Sequence, residues 1–494
     1  MTAPAPHDPY DEVPYTDHAY AESHPDRLSV VARLSGWQAP DLHGARVLEL
    51  GCGRGGNLLP MAESLPAARL LGIDRAASQV DEAARVARAV GLRNVRFEQG
   101  AVEAFAPPCA FDFVVCHGLC SWVPPGTRRA LLATIAAALA PGGVAYVSFN
   151  VLPGWYDRLA ARDWLRAFPG DTPASSLAWL RDAVDPCPDR IDYRRRLDAV
   201  VARLRATDAA YARHEYLAED HHPQRVSDLL AEASEAGLVY LGDAIPSETA
   251  LELLSEAAAE RASAMGVAEG QQLVDFVRCT AFRRALLVRE RDARERRWAR
   301  SPRLDPCALQ ALRIASRLRP HGLADARAAS ERFDGPEGLA VLQTDPALRR
   351  ALHVLARKAP RSLPFTELAS AAGGREEALR GDLFDLWLAT GAIDLHAHEP
   401  ALGDGRSPRP RATALARWRA ATEGPITNLW HQEVRLEDRV VRDVLCRLDG
   451  SRSLGDLARE LATEGPAATL DAPARLQLVR ASVATLAASG LIAR

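Results

Sequence analysis

Arg46-Val-Leu-Glu-Leu-Gly-Cys-Gly-Arg-Gly-Gly-Asn57 decides the fold, because a short strand runs into a glycine cluster and an apolar helical pattern, Asn57 to Ser64, follows at once. A strand that turns through glycines into a helix is the opening unit of a parallel sheet covered by helices. Working outward, Leu70-Leu-Gly-Ile-Asp74 predicts the second strand and Ser78 to Val90 an Ala/Arg helix. Val95-Arg-Phe97, Phe111-Asp-Phe-Val-Val-Cys116 and Val144-Ala-Tyr-Val-Ser-Phe149 predict the third to fifth strands, the last entered through Pro141-Gly-Gly143. Glu235-Ala-Gly-Leu-Val-Tyr-Leu241 and Phe282-Arg-Arg-Ala-Leu-Leu-Val-Arg289 predict a sixth and seventh, which makes roughly Trp155 to Arg225 a helical insertion. The expected class is α/β: a Rossmann-like core with a helical insertion and mostly helical, winged-helix-like C-terminal domains.

A chain of 494 residues holds several domains. The pattern divides it into an N-terminal segment (1–35), the core (36–155), the insertion (156–230), a segment completing the sheet (231–300), a helical middle domain (301–400) and a winged-helix-like end (401–494). Leu402-Gly-Asp-Gly-Arg-Ser-Pro-Arg-Pro-Arg411 reads as a linker. The net charge of -3 makes no electrostatic case for nucleic-acid or membrane-surface binding. Arginine carries nearly all the positive charge, Lys358 being the only lysine. The eight cysteines lack paired metal-ligand spacing, so reduced thiols in a cytoplasmic protein and no metal site are expected. No run of about 18 apolar residues exists, so no membrane span is expected, and the acidic, proline-rich start does not resemble a signal peptide.

Gly51, Gly53 and Gly56 satisfy G-x-G-x-x-G, a weak signal that nicotinamide and sulfonium cofactors share. Two neighbours separate the two cofactors. Glu49 stands two residues before the first glycine, where a pyrophosphate is repelled and a cationic amino-acid tail is welcome. Asn57 follows the glycines without a phosphate-binding lysine, which excludes a P-loop. Asp74, at the end of the second strand, is placed for ribose hydroxyls. After the third strand, in Glu98-Gln-Gly-Ala-Val-Glu103, Ala101 stands where methyltransferases often place an acid for the adenine amino group, so backbone amides of Ala101 and Val102 are the expected edge for adenine. S-adenosyl-L-methionine is therefore the expected cofactor, with Cys52 and Arg75 beside the same two strand ends.

His117-Gly-Leu-Cys-Ser-Trp-Val-Pro124 follows the fourth strand, at the mouth where open parallel sheets bind ligands. Methyl transfer from a sulfonium depends on positioning, and an amine acceptor must lose its proton first. His117, Ser121 and Trp122 are the candidates for that work, although a strand-end histidine satisfied by backbone and a packing tryptophan are the plain alternatives. Asn150 and Trp155 are placed to line the acceptor channel. The first 26 residues carry Asp8, Asp11, Glu12, Asp17, Glu22 and Asp26 without Lys or Arg, interleaved with Tyr10, Tyr15 and Tyr20. A solvated terminus is the plain reading of that composition; the tyrosines point instead to a lid, with Tyr15 at the catalytic centre.

These residues resemble a family. Asp11-Glu-Val-Pro-Tyr15, Ser23-His-Pro25, Val47 to Asn57, Leu59-Pro-Met-Ala62, Gly72-Ile-Asp74, His117-Gly118, Ser121-Trp-Val-Pro124 and Pro153-Gly-Trp155 look like bacterial methyltransferases with a methyltransferase regulatory domain. That family includes the lysine methyltransferases of rickettsial outer-membrane proteins. His214-Glu-Tyr-Leu217, Gly237 to Leu241, Asp275-Phe276, Asn428, His431 and Leu448-Asp-Gly450 extend the likeness. The resemblance implies a class I methyltransferase core, a dimerising insertion and a winged-helix end. It puts cofactor contacts on Glu49, Gly51, Gly53, Asn57, Asp74 and Gln79 and the family's HGxxSWVP loop on His117, Ser121 and Trp122, His117 being expected at the cofactor as well. Phe149, Asp17 and Ala101 depart from the family pattern, which leaves the acceptor open. The leading expectation is N-methylation of lysine in a protein or peptide; a small-metabolite acceptor, a DNA-binding regulator and a nicotinamide oxidoreductase are the alternatives.

Overall fold

The computed structural model describes residues 17–184, 188–207, 209–301, 303–322, 329–462 and 467–494. Its centre is a seven-stranded sheet: β1 (Arg46–Leu50), β2 (Arg69–Asp74), β3 (Val95–Gln99), β4 (Phe111–Cys116), β5 (Leu139–Asn150), β6 (Leu238–Asp243) and β7 (Phe282–Arg289). The strand order is β3-β2-β1-β4-β5-β7-β6. β1 to β5 pair in parallel, and β7 runs antiparallel between β5 and β6. Strands buried on both faces read as continuous apolar runs, which is why Val47, Leu48, Phe113, Val114, Val115 and Val147 are all sealed from solvent. Pro141-Gly-Gly143, expected as the turn into the fifth strand, lies within β5, where the pairing with β4 slips between Phe111 and Phe113.

Two connections set the site. Crossing from β1 to β4 reverses the direction of strand addition, and ligands bind at the carboxyl ends beside such a switch. The antiparallel β7 then brings Phe282 opposite Asn150, so the start of β7 reaches the same edge as the end of β5. Arg283, fully buried on β7, donates to Asp275, Asp243 and Gln271 at 2.9, 2.5 and 2.8 Å and fastens the helix Val267–Arg278 to the sheet.

The described part of the insertion holds the α-helices Tyr156–Ala167, Pro173–Ala183, Ile191–Ala206 and Ala209–Leu217 around a core of Leu165, Leu177, Leu197, Val201 and Tyr216. The described part of 301–400, expected as helical, adds two three-stranded sheets to the helices Pro346–Lys358, Phe365–Ala372 and Glu376–Thr390. Their strands are two to four residues long, too short for a period-two pattern to show in sequence. Lys358 sits exposed at the C-terminal end of the first of these helices. The last segment packs helices Ala414–Ala421, Arg439–Arg447, Leu454–Glu460 and Ala472–Ala488 with short strand pairs. Among the described residues no helix is long and apolar enough to cross a membrane.

Candidate active site

The glycine turn is fastened to the end of β2. Gly51 and Gly53 have φ of 78° and 51°, left-handed backbone that residues with a Cβ resist. The Gly51 and Cys52 N–H groups donate to the Ile73 carbonyl at 2.8 and 3.1 Å, and Gly53 N–H donates to Asp74 Oδ2 at 2.8 Å. Ala76 N–H donates to Asp74 Oδ1 at 3.0 Å, so the carboxylate expected to meet ribose is already oriented by two amides. Gly56 is needed for another reason: a Cβ there would overlap the Asp17 carboxyl and the His18 amide of the N-terminal segment crossing the turn.

Glu49 lies buried in front of this turn. Asn57 Nδ2 donates to Glu49 Oε1 at 2.7 Å, while Glu49 Oε2 has no partner among the described residues. Burial pushes the carboxyl up to about 8 against the pull of Asn57, and Asp74 and Asp17 add to the rise. A buried carboxylate oxygen without a donor is costly. The ammonium of an amino-acid cofactor tail would meet that need, so the residues present fit S-adenosyl-L-methionine on this observation.

Next to Glu49 stands a wall of rings. Tyr20 stacks on His117 with centroids 3.4 Å apart, and His117 Nδ1 is 2.8 Å from the Tyr146 hydroxyl. Phe282 stands 5.8 Å from His117 by ring centroid. The Tyr20 amide donates to Asn57 Oδ1 at 3.0 Å, which ties the wall to the Glu49 pair. Burial pushes His117 down to about 3, with Arg284 and His18 adding to the fall, and burial drives both tyrosine hydroxyls well above their usual range. All three groups are therefore uncharged at neutral pH.

A second cluster lies at the seam with the insertion. Trp122 and Trp155 each approach the ring of His221 to 4.4 Å, and Arg158 covers Trp155 at 4.7 Å. Ser121 Oγ accepts the Asn150 N–H at 2.8 Å, and Asn150 Nδ2 lies 3.0 Å from His221 Nε2. Burial first, then Arg162, pushes His221 down to about 3.

The structure thus brings Glu49, Gly51, Gly53, Asn57 and Asp74 together around one turn, with buried Gln79 against Gly53. Cys52 packs its sulfur toward Gly72 of β2. Arg75 is exposed, its carbonyl accepting from Gln99 at 3.1 Å, and Val102 is buried with its carbonyl accepting from Thr134 at 3.1 Å; Ala101 precedes it half-buried. His117 belongs to the ring wall, whereas Ser121 and Trp122 belong to the seam cluster. Tyr10 and Tyr15 lie outside the described residues. Sequence reasoning gave no role to Tyr146, Phe282 or His221. Tyr146 and Phe282 read only as strand residues, and the alternation of β5 and β7 was the one available signal for which way they face.

Comparison with known proteins follows the same lines. Residues 47–143 match the family described as methyltransferase domain, 208–289 the predicted methyltransferase regulatory domain and 408–487 the PKMT C-terminal winged helix domain. The uncharacterized protein RP789 of Rickettsia prowazekii is 33% identical over 300 residues, 57% of this chain and 53% of that one. The uncharacterized protein sll1526 of Synechocystis is 28% identical over 290 residues, 56% of this chain and 57% of that one. The chain spans about half the length of these curated relatives. A trans-aconitate 2-methyltransferase of Azoarcus is 30% identical over 214 residues, 39% of this chain and 78% of that enzyme. The fold matches PKMT2 from Rickettsia typhi, solved in complex with AdoHcy, with a TM-score of 0.85 at 22% identity over 97% of this chain and 100% of that one.

Proposed function

Because the chain belongs to the methyltransferase family built on this sheet, we propose that it transfers a methyl group from S-adenosyl-L-methionine to lysine side chains of a protein. The observation that carries the reading is Glu49, whose buried Oε2 has no donor among the described residues, beside a wall of uncharged rings.

S-adenosyl-L-methionine supplies, when bound, a methyl group on positively charged sulfur. Glu49 would hold its ammonium, Asp74 its ribose hydroxyls, and the amides at Ala101 and Val102 its base edge. Tyr20, His117, Tyr146 and Phe282 form an uncharged surround in which a lysine amine loses its proton more readily than in water. His117 is neutral and keeps one ring nitrogen on Tyr146, which fixes the ring and leaves the other for an acceptor. Trp122 and His221, packed on the buried Trp155, would carry the polypeptide bearing that lysine. The ring wall aligns the amine for in-line attack, and such alignment supplies most of the rate in a displacement of this kind.

The PKMT winged-helix match and the structural likeness to PKMT2 support a protein acceptor. The trans-aconitate relative supports a second reading, a small-molecule acceptor on the same cofactor. Incubation with methyl-labelled cofactor and cell extract separates them: acid-stable label in methyl-lysine is expected, and label confined to small molecules overturns the protein reading. We further propose a cytoplasmic homodimer joined through the insertion. The seven described cysteines are unpaired thiols, and Phe168, Trp179 and Ile191 leave apolar surface exposed on the insertion.

A further inference from the structure

We propose that His431, from the C-terminal winged helix, is a positioning residue of the cofactor site that holds the Asn57 amide in the orientation needed by Glu49. The inference rests on the cofactor reading given above.

His431 Nε2 lies 2.8 Å from Asn57 Oδ1, and both side chains are buried. The atom assignments follow from neighbours that have no choice. The Tyr20 backbone N–H can only donate, so the Asn57 atom it meets at 3.0 Å is the oxygen. His431 Nε2 meets that same oxygen and must therefore carry the hydrogen. The opposite end of the amide is then the nitrogen, which donates to Glu49 Oε1 at 2.7 Å and to Ser23 Oγ at 3.0 Å. Burial pushes His431 down to about 3, so the ring is neutral and its single hydrogen stands on Nε2. His431 Nδ1, an acceptor in that tautomer, has no partner among the described residues.

The turn that presents His431 is built for the purpose. His431 has φ of 62°, a left-handed conformation uncommon for a residue with a Cβ. It is held there by Asn428, whose side-chain oxygen accepts from Trp430 N at 3.0 Å and Gln432 N at 2.9 Å, while its nitrogen donates to the Ser489 carbonyl at 3.0 Å. His431 N–H closes the turn on the Asn428 carbonyl at 3.0 Å. Beside it, Arg419 NH2 donates to Asp17 Oδ2 at 2.7 Å and His18 pairs with Glu433 at 2.6 Å. The C-terminal domain thereby clamps the N-terminal segment over the glycine turn. Loss of the His431 N–H leaves the Asn57 oxygen on the Tyr20 amide and Ser23 alone, which weakens the hold on an orientation whose reversal would set oxygen against Glu49.

The test is calorimetric titration of the full chain with S-adenosylhomocysteine, alongside thermal melts and cofactor KM and kcat. His431→Gln keeps an N–H where Nε2 stands; His431→Ala removes it, and His431→Leu replaces Ala should Ala fail to fold. Removing the N–H is expected to weaken binding about tenfold and to raise cofactor KM with kcat held, while Gln stays within about threefold of wild type. Equal binding by wild type and His431→Ala or His431→Leu overturns the proposal, as does a Gln variant that loses affinity as fully as they do. Absence of binding to the wild-type chain overturns the cofactor reading instead.

Discussion

The imidazole of His117 and the phenol ring of Tyr20 lie face to face, with planes 17° from parallel. One ring directly follows β4 and the other belongs to the N-terminal segment that crosses the glycine turn. The stack therefore ties the segment to the sheet edge where the reaction is proposed to occur.

Tyr20→Phe keeps the stack, and Tyr20→Ala removes it. Steady-state methyl transfer is expected to change little in the Phe variant and to lose about tenfold or more in kcat/KM in the Ala variant. Equal losses in both would assign the effect to the hydroxyl, and no loss in either would remove Tyr20 from the site.

Glu49 carries a pH signature. Its carboxyl is held at about 8 in the folded chain, against 4.5 when unfolded. The folded protein without cofactor keeps a proton that the unfolded chain sheds, so stability falls as pH rises from 4.5 to about 8. Glu49→Gln is expected to melt higher than wild type at pH 8, with the gap closing towards pH 4. An ammonium ligand binds the charged form, so S-adenosylhomocysteine binding at neutral pH should release a proton in wild type and none in Glu49→Gln. Affinity in that variant should drop about a hundredfold; calorimetry in buffers of different ionisation enthalpy reads both quantities.

Ser121 offers a different contrast. Its oxygen accepts the Asn150 N–H at the end of β5. Ser121→Ala should cost about 1 kcal/mol of stability by chemical denaturation, with kcat within a few-fold of wild type. A proton-transfer role would instead lower kcat about a hundredfold with stability unchanged.

Arg283 on β7 pairs with two buried aspartates, Asp275 of the helix Val267–Arg278 and Asp243 at the end of β6. Arg283→Met leaves Asp243 and Asp275 buried without their cation and should destabilise the chain by about 3–5 kcal/mol. Urea unfolding followed by tryptophan fluorescence checks this, and a loss below about 1 kcal/mol would show that the carboxylates find other partners.

The core was legible because its signals are local. Val47 to Leu50, Phe111 to Cys116 and the glycines after β1 each declare their structure within a few residues. Glu49 and Asp74 were legible for the same reason, as both sit at fixed offsets from that turn. Asn57 became a cofactor contact only through the family resemblance, and its hydrogen bonding to Tyr20, Ser23, Glu49 and His431 has no local pattern. His431 reaches the turn across most of the chain's length, a contact no periodicity encodes. Ser121 and Trp122 were placed correctly after β4, yet the rotation of the loop between Gly118 and Ser121 decides which cluster each joins. That loop is pinned by Ser148 Oγ on Gly118 N–H, a tertiary contact.

Lys358 stands alone and exposed at a helix end in the middle domain. Apart from a terminal amine, an amine-reactive dye or cross-linker has a single address on this protein. A chain so nearly blank to lysine chemistry leaves a clean background: methyl-lysine recovered from a reaction mixture belongs to the acceptor, unless it lies in the one peptide that carries Lys358.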